Sequence, residues 1–552
     1  MTRFLLLTVF VSATCLAADT GFKHGAVASV HPLATDAGVN ALKKGGNAVD
    51  AAIATALTLG VVDGHNSGIG GGCFILIRAA DGTVTCIDGR EMAPAKAHRD
   101  MFIIHGKLDD EASKTGALAS GVPGALAAYD AALTKHGKLS LADLLQPAAD
   151  IAEQGFEIDE VYARKLAGQV ANIKKFPASA AVLLKPDGTA WKKGDRLVQK
   201  ELAETYRMVA KQGIGWFYRG GFSKAAADWM KANGGIMSEE DFASYEAKER
   251  EPLRTTYHNF EIIGMPPPSS GGIHVAQILQ MIERWNPATT SLIDRTHTMA
   301  EAMKLAFADR AYWLGDPDFV PVPRGLIELE YTDELSRKID LTKTTPVPQH
   351  GTPPKSHDDV FGKHTTHLST ADAEGNWVAM TQTINTAFGS KVIIPGTGVI
   401  MNDEMDDFSV QPGVPNAFKL IGAEANAVAP GKRPLSSMSP TLVLKHGKPL
   451  ISVGAAGGPT IITQTVQALV GVLDFGKTPA ESLAMPRIHH QWAPDSLKIE
   501  TKFGDDVLKE LEARGHTLER SSGFGACQCI QLRDGLLYPA HDPRVPGKAD
   551  GW

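Results

Sequence analysis

His364-Thr365-Thr366-His367-Leu368-Ser369-Thr370-Ala371-Asp372-Ala373-Glu374-Gly375-Asn376-Trp377-Val378-Ala379-Met380-Thr381-Gln382-Thr383-Ile384-Asn385 reads as two β-strands joined by a tight turn. Thr365–Ala371 and Trp377–Asn385 alternate or carry β-branched residues, and Asp372-Ala373-Glu374-Gly375-Asn376 supplies turn formers between them. With the turn centred on Glu374, Thr365 and Thr383 lie equally far from the centre and pair across the hairpin. Directly opposed residues of an antiparallel pair point to one face, with Cβ atoms about 5 Å apart. Thr383 can then donate a hydrogen bond to the Thr365 Oγ and help it ionise. His364 and His367, three apart on a strand, face opposite sides, so no metal site is expected there.

Just upstream, Thr342–Lys363 is polar and carries Pro346, Pro348, Pro353 and Pro354 without periodicity. It reads as an exposed linker running straight into a strand, the arrangement that proteolytic maturation needs. Nearer the start, Ala34–Lys44 and Asn47–Leu59 have helical spacing, separated by Gly45-Gly46, with Asn47 as an N-cap. Gly68-Ile69-Gly70-Gly71-Gly72 then leads into a strand, Cys73–Arg78. A dinucleotide fingerprint needs a third glycine and a following helix, so close backbone packing is expected instead. Further helices are predicted over Ala125–His136, Leu141–Gln154, Ile273–Arg284 and Thr298–Tyr312, and no internal repeat is visible.

At 552 residues the chain can bury a large core. Its net charge of -7 and the absence of a dense Lys/Arg run make nucleic acid an unexpected partner. Arg3, the apolar run Phe4–Ala13 and small residues at Cys15, Ala17 and Ala18 have the form of a signal peptide, residues 1–18. The run is too short for a bilayer, which takes about 20 residues, so the expectation is a periplasmic or secreted protein without a membrane anchor. Cys73, Cys86, Cys527 and Cys529 fit no zinc spacing. Cys73 and Cys86 flank a predicted hairpin, which leaves a disulfide open. Cys527 and Cys529 would share one strand face, as small buried hydrophobes.

Several blocks match one family in order: Gly45-Gly46-Asn47-Ala48-Val49-Asp50-Ala51-Ala52, Arg90-Glu91-Met92-Ala93-Pro94-Ala95, Pro266–Gly272, Leu314-Gly315-Asp316-Pro317-Asp318-Phe319, Thr365-Thr366-His367, Met405-Asp406-Asp407-Phe408-Ser409, Pro434–Thr441 and Gly457-Gly458. On these the chain resembles the γ-glutamyltransferases (γ-glutamyl transpeptidases, glutathione hydrolases) of the N-terminal-nucleophile hydrolase superfamily. The resemblance implies an α/β (α+β) fold, a four-layer αββα sandwich, that needs no cofactor and no metal. It implies self-cleavage between His364 and Thr365 into a heavy subunit, 19–364, and a light catalytic subunit, 365–552, paired as a heterodimer in one intertwined domain.

The resemblance also assigns roles. Thr365 would be nucleophile and, through its freed α-amine, base. Thr383 would assist, and the Gly457 and Gly458 amides would form the oxyanion hole. Arg90, Ser436 and Ser437 would hold the substrate α-carboxylate, Arg90 through its planar fork. Asn385, Glu404 and Asp407 would hold the α-ammonium. Glutathione and other γ-glutamyl compounds are the implied donors, with water, amino acids or dipeptides as acceptors. A lid, Pro412–Ala423, carries Phe418 where many bacterial members have tyrosine, with Gly413 and Gly422 as hinges. Alternatives are a glutaryl or cephalosporin acylase of the same superfamily, an enzyme ligating poly-γ-glutamate, and a non-catalytic binding protein on this fold. The acids Glu404 and Asp407 argue against a glutaryl substrate, which lacks the ammonium group.

Overall fold

Strands His367–Asp372 and Trp377–Thr383 pair antiparallel, with His367 opposite Thr381 and Ala371 opposite Trp377. The turn is therefore centred on Glu374, as the sequence predicts. The Gln382 N–H donates to the Thr366 carbonyl, which carries the register one residue past the strand. Asp372 clasps the turn, accepting from the Asn376 N–H at 3.0 Å and from its Nδ2 at 2.8 Å. Gly375 takes a φ of 95°, a conformation that costs glycine little. The computed structural model describes residues 20–354, 366–411 and 413–552. Thr365, His364, the signal segment 1–18, the end of the linker and Pro412 lie outside the described residues.

The hairpin is the centre of a seven-stranded sheet in the order Lys548–Gly551, Gly25–Ser29, His367–Asp372, Trp377–Thr383, Gly72–Arg78, Val84–Gly89, Lys248–Arg250. A six-stranded sheet, in the order Leu536–His541, Ala526–Arg533, Lys448–Ala456, Thr441–Lys445, Phe260–Gly264, Leu253–Tyr257, packs against it. Both sheets mix strands from before and after the linker. Alternation sorts the hairpin side chains. Ala371, Trp377 and Ala379 point inward, to meet Met265, Leu442 and Ile530 between the sheets. Leu368, Val378 and Met380 point outward, to a layer that includes helix Ala48–Val62. Helices Gly271–Glu283, Leu292–Trp313 and Thr460–Leu473 contribute to the apolar core on the far face of the second sheet. The architecture is the expected αββα sandwich.

Helix Ala48–Val62 is buried along its whole length, and Asn47 and Asp50 close a capping box at its start. Helices Ala125–His136 and Leu141–Gln154 have the predicted bounds. The helix predicted to begin at Thr298 begins at Leu292, because Ser291 caps it by accepting from the Asp294 N–H at 3.1 Å. Cys73 lies opposite Gly89 and Cys86 opposite Leu76, so the two thiols are on opposite faces of the sheet and do not pair. Cys527 and Cys529 do share a face, in the apolar core against the helices. The glycine run packs as expected: a Cβ on Gly71 would stand 1.8 Å from the Thr383 carbonyl oxygen. Among the described residues no helix is long and apolar enough to cross a membrane.

His367 is an inward polar exception. Its ring touches the Thr381 hydroxyl at 3.1 Å and the Ser369 hydroxyl at 3.0 Å. Burial lowers its pKa to about 3, which keeps it neutral. The ring lies on Gly454 of the facing sheet, where a Cβ would come within 2.5 Å of Nδ1. Gly454→Ala should therefore cost about 1–3 kcal/mol, as overpacking does. Urea unfolding checks this, and an unchanged midpoint would contradict the packing.

Candidate active site

The chain leaving Trp377–Thr383 turns sharply at Asn385, which sits at a φ of 74°. The Asn385 N–H donates to Thr383 Oγ1 at 2.7 Å, and its Nδ2 donates to the Asp403 carbonyl at 2.9 Å. Asp403 is itself buried, beside Lys391 at 3.4 Å. Its carboxylate also accepts from the Thr386 N–H at 2.9 Å. Asn402 accepts from the N–H groups of Gly121 and Glu404. These contacts fix the short helical turn Glu404–Asp407 beside the end of the hairpin.

Arg90 follows strand Val84–Gly89 and is completely buried. One terminal nitrogen donates to Glu404, and also to Glu91 at 3.3 Å; the other donates to Asp407 at 2.7 Å. Its Nε donates to the Pro434 carbonyl at 3.2 Å. Burial opposes the charge on Arg90, but the Glu404, Glu91 and Asp407 carboxylates outweigh it and raise the pKa. Burial pushes the Glu404 carboxyl well above its usual range, against the opposing pull of Arg90 and with the help of Glu91, Asp407 and Asp403. Glu91 is raised for the same first reason.

Ser436 and Ser437 stand on a turn cradled by the Pro266–Gly272 loop. The Ser436 carbonyl accepts from the Ser270 N–H at 3.0 Å, and the Ser436 N–H donates to the Pro268 carbonyl at 3.1 Å. A Cβ on Gly271 would meet the Met438 carbonyl oxygen at 2.4 Å, so the loop needs glycine there. Arg433, just before the turn, pairs with Asp88 at 2.5 Å, and its N–H donates to Asp316 at 2.8 Å.

Gly457 and Gly458 link strand Lys448–Ala456 to helix Thr460–Leu473 at φ values of 130° and 59°. Among the described residues neither N–H has a protein acceptor. Both amides, at a helix N-terminus, can therefore serve a developing anion. The loop predicted as a lid reaches this point: a Cβ on Gly458 would come within 2.7 Å of the Phe418 ring. At its base the Gly413 N–H donates to the Gly422 carbonyl at 3.0 Å. Its tip is tied to the acids, for the Ala417 N–H donates to Asp406 at 2.8 Å and Asn416 Nδ2 to Asp407 at 3.3 Å. The cavity lined by Arg310, Asp407, Asn416 and Leu435 is only about 10 Å³.

Direct contacts join Arg90, Glu404 and Asp407 in one cluster, and the loop carrying Asn416 and Phe418 joins Asp407 to Gly458. Thr383 and Asn385 are bonded to each other. Ser437 accepts from Arg310, a buried residue on helix Leu292–Trp313 that borders the same cavity as Asp407 and that sequence reading missed. Its only signal was an Asp-Arg pair ending an apolar helical run, Ala306-Phe307-Ala308. Glu91, Asp403 and Lys391 were missed as well.

The αββα sandwich defines the class: an N-terminal-nucleophile hydrolase fold. Residues 34–552 match the family profile described as Gamma-glutamyltranspeptidase. The chain is 44% identical over 527 residues to the glutathione hydrolase proenzyme of Escherichia coli K12, covering 95% of this chain and 90% of that protein. It is 38% identical over 550 residues to the acylase ACY 1 proenzyme of Pseudomonas sp. SE83, covering 97% and 94%. The crystal structure of cephalosporin acylase from Bacillus halodurans superposes with a TM-score of 0.87 at 29% identity, covering 97% and 96%. This chain belongs to the gamma-glutamyltranspeptidase family.

The charge cluster has an asymmetric consequence. Removing one partner of a buried ion pair costs about 3–5 kcal/mol, because the other charge is stranded. Arg90→Gln should show that loss in urea unfolding. Glu404→Gln should lose far less, since burial already favours the neutral carboxyl. Equal losses would contradict the assignment.

Proposed function

We propose that this protein is a γ-glutamyltransferase and glutathione hydrolase that matures by cutting its own chain before Thr365. The freed α-amine, with an ordinary pKa near about 8, takes the proton of the Thr365 hydroxyl. The Oγ attacks the γ-carbonyl of glutathione or a related compound, and the Gly457 and Gly458 amides hold the oxyanion. Collapse expels the amine and leaves a γ-glutamyl ester on Thr365. Water, an amino acid or a dipeptide then takes the acyl group. Arg90, Ser436 and Ser437 bind the α-carboxylate; Asn385, Glu404 and Asp407 bind the α-ammonium. Chains 19–364 and 365–552 remain together as a heterodimer, and residues 1–18 direct export to the periplasm or medium.

The observation that carries this reading is the hairpin register. Continued one residue beyond Thr366 and Gln382, it would oppose Thr365 to Thr383. Thr383 Oγ1 already accepts the Asn385 N–H, so its own proton is left for a neighbour. The mixing of strands from both sides of the linker supports two chains that stay paired after cleavage.

A second reading, an acylase for glutaryl side chains, is favoured by the relatives named as acylases. Glu404 and Asp407 each pair with Arg90 without any ligand, so their presence alone does not choose between the two. Product analysis does. The protein is incubated with glutathione, with and without glycylglycine, and separately with glutaryl-7-aminocephalosporanic acid. The proposal expects glutamate and cysteinylglycine, a γ-glutamyl-glycylglycine product with acceptor, and much slower glutaryl release. Faster glutaryl release would select the acylase. Thr365→Ala should stay a single chain and be inactive; cleavage or turnover in that variant would overturn the nucleophile.

The lid adds a prediction about partitioning. Phe418 covers Gly458, so Phe418→Ala should admit water and raise the ratio of glutamate to transfer product at fixed glycylglycine. An unchanged or lower ratio would show that the contact does not gate water.

A further inference from the structure

We infer that Arg310 is a positioning residue for substrate recognition: it turns the Ser437 hydroxyl toward the α-carboxylate and adds a second cation to the head-group site. This rests on the proposed γ-glutamyl reading. Arg310, Arg90 and Arg433 are among the largest fully buried side chains. Arg90 pairs with Glu404 and Asp407, and Arg433 pairs with Asp88. Arg310 has no carboxylate in ion-pair contact among the described residues; its Nε donates to Ser270 Oγ at 3.1 Å and a terminal nitrogen to Ser437 Oγ at 3.2 Å. A buried guanidinium without a counter-ion carries a large desolvation cost. A neutral donor could hold a serine turn without that cost. The cation therefore points to an anion that arrives with the substrate.

Hydrogen-bond accounting gives the direction. Ser437 Oγ accepts from Arg310, and Ser436 Oγ accepts from the Met438 N–H at 3.3 Å. Among the described residues neither hydroxyl donates to a protein acceptor. Both protons are thus free for an incoming acceptor, and a hydroxyl that accepts from a cation is the stronger donor. Charge balance points the same way. Arg90 is already surrounded by Glu91, Glu404 and Asp407. Arg310 borders the same small cavity as Asp407 and the lid residue Asn416. A carboxylate bound by the Ser436 and Ser437 protons would have beside it a cation that touches Ser437 and that Asp407 offsets only through space, without ion-pair contact.

The test compares γ-glutamyl-p-nitroanilide with its α-carboxamide analogue in the wild type, Arg310→Gln, Arg310→Lys, Ser437→Ala and the double variant Arg310→Gln/Ser437→Ala. Each preparation is first checked for cleavage into two chains. Arg310→Gln should raise KM for the carboxylate substrate by about tenfold or more, the scale of a lost hydrogen bond to a charged group. Its kcat should change less, and its kcat/KM for the carboxamide should stay near the wild-type value. Arg310→Lys, which keeps the charge, should recover part of the KM. The double variant should lose little more than the worse single one. Equal losses on both substrates, or full additivity with Ser437→Ala, would reduce Arg310 to a structural residue. If Arg310→Gln fails to fold, a wild-type KM in Arg310→Lys for the carboxylate substrate would overturn the orientation argument, because the planar fork is lost. A wild type that treats carboxylate and carboxamide alike would overturn the γ-glutamyl reading itself.

Discussion

A slip of one residue by the second strand of the hairpin centred on Glu374 would turn every side chain of that strand to the other face. Trp377 and Ala379 would leave the layer between the sheets, and Val378 and Met380 would enter it. The register is held from several sides. Asp372 clasps the turn, and Gly375 relieves its backbone. Gly72 to Arg78 continue the sheet beyond the second strand. The His367 ring can lie flat against the facing sheet only because residue 454 is glycine. The end of the hairpin is thereby set beside Asn385 and the turn Glu404–Asp407, and the chemistry of the site depends on that placement.

The site is built from charges that are expensive to bury and are compensated by one another. Arg90 draws together segments that are distant in sequence: its own strand end, the Glu404–Asp407 turn and the Pro434 carbonyl. The loop at Asn416 and Ala417 is anchored on the same turn, Asn416 on Asp407, which also pairs with Arg90, and Ala417 on the neighbouring Asp406.

Much of this was legible from sequence where local rules suffice. The Glu374-centred register followed from alternation and turn chemistry, the Asn47 cap from its residue type, and the helices at Ala125 and Leu141 from their periodicity. The glycine run was correctly read as backbone packing. Other features needed three dimensions. Cys73 and Cys86 sit near each other in sequence, but strand pairing sends them to opposite faces. The helix start at Leu292 was hidden because the cap at Ser291 precedes the apolar pattern. Resemblance supplied Arg90, Glu404 and Asp407, but not their direct pairing with one another. Arg310 was invisible because its partners, Ser270 and Ser437, come from distant segments.

The central claim is that Thr365 becomes a chain terminus and carries the γ-glutamyl group. The most direct measurement is mass spectrometry of the small chain after rapid acid quench during glutathione turnover, with peptide mapping of the adduct. The account predicts a chain that begins at Thr365 and bears one γ-glutamyl group on that residue. An adduct on any other residue, or full turnover by an uncut chain, would contradict it.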